Sequence, residues 1–337
     1  MAQLSRNLLV PLALTSFMNA SHAEQFYKDK TISLLVSSDA GGGYDTYSRL
    51  LANYFPRYIP GSPTVIVQNM PGGGGLRVAQ HLYAVAEKDG TQIGNVRASN
   101  ALDSVLGIRG ADIDPTKYEW LGSMAGDTDV CVFWHTAGVR TIDDLRSKET
   151  LIGATGKGGQ NYSFPMAMNH ILGTKMKIIL GYKGLGDRIL AMERGEVQGN
   201  CGINASTLTS LQGKLLAEGK LVSIVQSGGK PHPSLPNVPL THTFAKGEEE
   251  RRILTTIFSQ MEIARTYALP PGTPSERLTI LRKAFLDALK DPSLQVQAKK
   301  MKLDIDFMSG EDVLKIIKEM SSLAPELKAK VRTALGT

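Results

Sequence analysis

The chain has 337 residues, 42 % of them hydrophobic and 6 % aromatic, with 38 Lys and Arg against 32 Asp and Glu for a formal net charge of +6. So mild a charge, with no Lys/Arg run longer than two residues and few aromatics to stack on bases, excludes a nucleic-acid groove. The length exceeds what one core usually supports and predicts two domains.

Arg6, the apolar run Leu8–Phe17 and the small residues ending in Ser21-His22-Ala23 form the pattern of a secretory signal peptide over residues 1–23. Its apolar core is well short of the ~20 residues that span a bilayer. The mature chain is therefore expected to begin near Glu24, to be exported and, without Arg6, to carry a charge of +5, one less than the full chain's +6. In an oxidising compartment the two cysteines, Cys131 and Cys201, have one possible pairing. A disulfide is expected, with two buried thiols as the alternative.

The elements follow a repeated form: an apolar run, a glycine turn, then a segment of helical period, which predicts βα units. A strand over 31–38 leads through Gly41-Gly-Gly43 to a helix with Tyr47, Leu50, Leu51, Tyr54 and Tyr58 on one stripe. A strand over 64–69 leads through Pro71-Gly-Gly-Gly-Gly75 to a helix facing Leu76, Ala79, Leu82, Tyr83 and Ala86 inward, and a short strand runs from Gln92 to Val96. The pattern restarts with a strand over 129–134, a helix start capped by Thr141, a strand over 151–155, the turn 156–159, and a helix with Pro165 in an early turn. Strand 177–181, turn 182–186, a helix burying Leu185, Ile189 and Met192, and a strand from Glu196 into Gly202 follow. The Pro- and Gly-rich stretch 228–239 leads out of this unit. Thr273-Pro-Ser-Glu276 reads as a capping box ahead of a helix burying Leu278, Leu281, Phe285 and Leu289, and a last helix starts near Ser309. Chain crossings between domains are expected near 122–128 and 240–255.

Four glycine turns at helix starts, 39–45, 70–75, 155–161 and 182–186, are candidate anion sites, because first-turn N–H groups lack partners and the helix dipole is positive there. A dinucleotide fingerprint fails, with Thr46 where a third small residue belongs, and no phosphate-loop motif surrounds Gly156-Lys157. A small organic carboxylate is the expected anion. No G-x-S-x-G elbow, H-E-x-x-H or metal-ligand spacing among the six histidines exists, so neither enzyme, metal nor cofactor is expected. Asp45 reads first as a loop-fixing residue and second as a ligand contact.

The chain resembles the periplasmic solute receptors of tripartite tricarboxylate transporters, the TctC or Bug-type receptors, over nearly its whole mature length. The resemblance rests on "FYKDKTISLLVSSDAGGGYDTYSRLLA", "VIVQNMPGGGGLRVAQHLY", "KDGTQIG", "GATGKGG" with "GYKGLGDRILAMERGEV", and "LPPGTPSERLTILRKAFLDALKDPSL". It implies an α/β, two-lobed Venus flytrap of type II-like form, each lobe a mostly parallel sheet flanked by helices. The expected lobes are 24–125 plus 250–337, and 126–249. It also implies a periplasmic monomer that closes on a carboxylate and hands it to the membrane permease subunits of such a transporter. By the family's motifs, the first loop would bind through Ser37, Ser38, Ala40, Gly41, Gly42, Tyr44 and Asp45, and the second through Asn69, Gly72, Gly73 and Gly74. Thr155, Gly156, Gln160, Asn161, Tyr182, Lys183 and Gly184 would face them, with Arg97 and Ser99 at a strand end. Gln198 stands where the family usually has aspartate, and "QGNCGIN" departs from its common form, which implies a different far end of the ligand. The other readings are a secreted hydrolase using Ser37 or Ser99, and a sensory protein presenting its ligand to a membrane kinase.

Overall fold

The computed structural model describes residues 26–108 and 110–336; the expected signal peptide lies outside them. Among the described residues no helix is long and apolar enough to cross a membrane. β-branched and apolar runs build the strands. The chain forms β1 (Thr31–Val36), β2 (Thr64–Asn69), β3 (Gln92–Gly94) and β4 (Glu119–Ser123), then β5 (Asp129–Trp134), β6 (Thr150–Gly153), β7 (Met176–Ile179), β8 (Gly199–Asn204) and β9 (Leu221–Ser227). It returns with β10 (Thr266–Leu269) and β11 (Met308–Ser309).

Two sheets result, ordered β11-β4-β10-β3-β1-β2 and β7-β6-β8-β5-β9. Both are mixed, not mostly parallel as the sequence implied. β1 pairs parallel with β2 and β3, and β6 with β7 and β8, as βα units require. β4, β10 and β5, which carry the chain between the sheets, pair antiparallel with their neighbours. The reversal comes from the chain leaving one sheet and re-entering it from the other end.

Aromatic and aliphatic side chains fill both sides of each sheet. Tyr27, Tyr47, Phe55, Tyr267 and Phe285 pack in one cluster of the first sheet, and Phe133, Phe164 and Phe258 in one of the second. Each large side chain so buried contributes about 1.5–3 kcal/mol of hydrophobic free energy. The helix Glu248–Phe258 buries Ile253, Leu254, Ile257 and Phe258 in the second sheet's cluster, and the helix Pro325–Leu335 adds Leu327, Val331 and Leu335 there. Both fall in the C-terminal portion that the sequence assigned almost wholly to the first lobe. The chain therefore passes between the two sides at 124–128, at 259–265 and at 322–324. The second of these passages lies later than the expected 240–255.

Local signals hold at some helix starts and fail at one. Thr141 forms its capping box with Asp144, and the Ser309 hydroxyl accepts from the Asp312 amide. Thr273 does not cap: its hydroxyl donates to the Pro270 carbonyl, and the helix begins at Ser275 behind Pro274. Cys131 on β5 and Cys201 on β8, both buried, are bonded, with Cα atoms 3.9 Å apart. By loop entropy, a crosslink across a separation of 70 residues stabilises by about 4 kcal/mol.

Candidate functional site

A cavity of about 60 Å³ lies between the two sheets, walled by both sides of the molecule. Three helices of twelve, thirteen and nine residues start at it: Gly43–Tyr54, Gln160–Leu172 and Leu185–Glu193. Their N-caps are Gly42, Gly159 and Gly184, and none has a side-chain cap. Gly43, Tyr44, Gln160, Asn161, Gly184 and Leu185 all reach the wall. A glycine at the cap leaves first-turn amides uncovered, so three positive helix ends aim at one space.

The first glycine loop is braced from behind. Asp45 accepts from the Gly41 amide at 2.8 Å, from Asn69 Nδ2 at 2.8 Å and from Arg49 Nε at 2.8 Å, while Asn69 Nδ2 also reaches the Ser38 carbonyl at 3.0 Å. Burial pushes the Asp45 carboxyl up, but the bonds from Arg49, Gly41 and Asn69 hold it below its ordinary range. Asp45 and Asn69 therefore fix the loop and stand off the wall.

Arg97 enters from the first sheet's side. Its Nε donates to Ser37 Oγ at 3.0 Å and its Nη2 to the Ser37 carbonyl at 2.6 Å, and the guanidinium lies 4.5 Å from the Tyr44 ring centroid. Ser37 Oγ in turn donates to Asn95 Oδ1 at 2.9 Å. With an amide and a guanidinium against it and no general base among its hydrogen-bond partners, this hydroxyl positions Arg97 and is not set up to attack. Ser99 is buried with its hydroxyl unpartnered among the described residues, and it too stands off the wall.

Across the cavity, Thr155 donates from its amide and hydroxyl to Asn161 Oδ1, each at 3.2 Å, which folds the third glycine turn onto its helix. Gly202 has φ +72°, and a Cβ there would come 2.6 Å from the Asn161 amide nitrogen. Only glycine lets that helix start sit against β8. The register shift between Val130 and Val132 at the same level swings Gly202, Ile203 and Asn204 toward the wall.

Of the residues expected from sequence, Ser38, Gly42, Tyr44, Arg97, Thr155, Gln160, Asn161, Lys183 and Gly184 share the wall. Ala40 and Gly41 are exposed, and the Tyr182 ring packs on Gly153. The second glycine loop is placed otherwise than expected: Gly72, Gly73 and Gly74 do not line the cavity. Gly74, at φ +67°, lies against the Gly158 backbone so closely that a Cβ would collide with it, and Gly156 faces Gly73 and Gly74. Asn100 Nδ2 donates at 3.4 Å to the Gly158 carbonyl beside them. This loop is the seam where the two sides meet, as is Gly43 against Thr207.

Sequence reasoning missed Arg188, Gly202, Ile203, Asn204 and Thr207 on the wall, and gave Asp39 only as part of the turn 39–45. Arg188 carried a usable signal: it follows Leu185 by three and precedes Met192 by four, which puts a charge on that helix's buried stripe. It is 6 % exposed. Its Nε donates to the Gly184 carbonyl at 3.0 Å and its Nη1 to Asn200 Oδ1 at 2.8 Å.

No protein-family model matches the chain. It is 24 % identical over 296 residues to an Agrobacterium vitis protein described as "UPF0065 protein in the TAR-I ttuE-ttuC' intergenic region", spanning 86 % of this chain and 80 % of that one. Among solved structures it is similar to the periplasmic binding protein BugD, with a TM-score of 0.73, 19 % identity, and 91 % of this chain and 98 % of that one covered. It is similar also to MatC from Rhodopseudomonas palustris with bound malate, with a TM-score of 0.72, 18 % identity, and 90 % and 99 % covered. The likeness gives the fold, that of two-lobed periplasmic binding proteins, and agrees with the Bug- and TctC-type resemblance read from the motifs.

Proposed function

We propose that the protein is a periplasmic solute-binding receptor that captures a small organic carboxylate between its lobes and delivers it to the permease of a tripartite tricarboxylate-type transporter. The observation that carries this reading is the convergence of three uncapped helix starts and Arg97 on one cavity. The ligand class of this reading is the small organic carboxylates, and the cleft, with about 60 Å³ between its walls or room for about four to six water-sized groups, would have to widen to admit an acid of malate's size. The malate bound to MatC is of this class. Hydrogen bonds to a charged group contribute about 1.5–3 kcal/mol each. Four or five of them offset association costs and leave the ~8 kcal/mol of a micromolar receptor. The N-terminal apolar segment supports export.

Calorimetry of the chain from Glu24 against short aliphatic mono-, di- and tricarboxylates, with the neutral amide of each as control, tests the reading. A micromolar Kd for at least one acid and binding at least 100-fold weaker for its amide are expected. Silence across the acids, or amides that bind as well as acids, would overturn it.

A further inference from the structure

We infer that Asp39 is a built-in competitor of the ligand: its carboxylate reaches from the first glycine loop across the cleft to the helix start at Gly184, holds the place of a ligand carboxylate, and is displaced when one binds. The inference rests on the reading of the cavity as a carboxylate site.

Asp39 differs from the acids that brace the glycine loops. Asp45 accepts from the Gly41 amide, four residues before it, and Asp187 Oδ2 accepts from the Lys183 amide at 3.2 Å, again four residues before it. Both turn back on their own loops, and neither lines the wall. Asp39 is the one acid that does. Its carboxylate lies between two glycine caps from opposite sides of the molecule. A Cβ on Gly42 would come 3.3 Å from Asp39 Oδ1, and a Cβ on Gly184 would collide with both carboxylate oxygens. Each of these glycines opens a helix that has no side-chain cap of its own. A carboxylate is favoured at a positive helix end, and this one stands against two.

The cations of the wall, Arg97, Lys183 and Arg188, surround the same carboxylate. Burial, and then the charge of Arg97, push Arg188 down to about 10, and Asp39 leads the charges that push it back up. Burial pushes Arg97 down as well, and Asp39 is again among the groups that raise it. An acid of this chain thus already answers the two guanidinium groups and the helix ends that the proposed ligand would use. Two carboxylates cannot share one set of donors without repulsion. The cavity of about 60 Å³ is the space left beside Asp39. Asp39 is half-buried and is followed by the exposed Ala40, which leaves its carboxylate a way out to water. The affinity for a ligand acid is therefore net of what Asp39 gives up in leaving.

Calorimetry of wild type, Asp39→Asn and Asp39→Ala against the panel of short aliphatic mono-, di- and tricarboxylates tests the inference. Each acid that binds is expected to bind both variants about tenfold tighter, the worth of one hydrogen bond to a charged group, while the neutral amides gain nothing. The gain should persist at about 0.5 M salt, where a charge that merely lies nearby is screened. Unchanged or weaker binding of the acids by the variants, or a gain that vanishes at that salt, would overturn the inference and leave the carboxylate receptor standing. Acids bound by neither wild type nor the variants would remove both. Asparagine and alanine differ in size and hydrogen bonding and share only the lost charge, so the expected gain does not hang on the fold of one variant.

Discussion

Asp127→Ala is expected to destabilise the protein by about 3–5 kcal/mol, the cost of leaving one charge of a buried pair without the other. Asp127 sits in the first passage between the sheets and Arg265 at the end of the second. Asp127 Oδ1 also accepts from the Thr128 amide at 2.8 Å and the Ser206 amide at 3.3 Å. Arg265 Nη2 donates in addition to Thr207 Oγ1 at 2.9 Å, and its guanidinium stacks 4.6 Å from the ring centroids of both Tyr44 and Tyr47. The pair thus ties the two chain passages to the first glycine loop on one side and to the wall residue Thr207 on the other. Urea unfolding of the single variant and of Asp127→Leu/Arg265→Met checks the claim. Replacing both charges by apolar groups should recover at least half of the loss, because no unpaired charge remains. A single variant that costs under about 1 kcal/mol would show that the pair does not hold the two passages together.

Asp103→Asn is expected to stabilise the protein at pH 8 by up to about 4 kcal/mol and to change little at pH 4. Asp103 lies in the helix Ala98–Val105, 5 % exposed, with Oδ2 lacking a partner among the described residues. Burial pushes its carboxyl up to about 7 from the 3.8 of a free aspartate. Between these two values the folded protein binds the proton and the unfolded chain does not, so stability falls as pH rises from about 4 to about 7. Asparagine removes the ionised form and with it that slope. Unfolding at pH 4 and pH 8 reads the difference, and an Asn variant equally destabilised at both would mean that Asp103 serves as a hydrogen-bonded structural residue.

What was legible in the sequence was local. β2 spans the residues its β-branched run marks, and β1 lacks only the last two of its predicted strand. Glycine turns gave the helix starts at Gly43, Gln160 and Leu185 because a missing side chain at the cap is written in the sequence itself. The capped start at Thr141 and the start near Ser309 were readable because a capping hydroxyl is equally local. What was not legible depended on partners distant in sequence. Arg265 and Asp127 are 138 residues apart, and nothing near either one announces a pair. The helices Glu248–Phe258 and Pro325–Leu335 were not read from the sequence, which placed the last helix near Ser309; both are amphipathic, but the pattern of an apolar stripe does not say which sheet it will cover. The second glycine loop has the composition of an anion cradle, and only its contact with Gly158 reveals a seam. The antiparallel neighbours of β4 and β5 follow from where the chain crosses, which no strand encodes alone.

A crystal structure with the tightest-binding acid of the calorimetric panel is the most direct test of the cleft as an amide-lined carboxylate trap. One carboxylate is expected with its oxygens within hydrogen-bond distance of the Gly43 and Tyr44 amides and of Arg97. An acid bound elsewhere, with those amides facing only water, would contradict it.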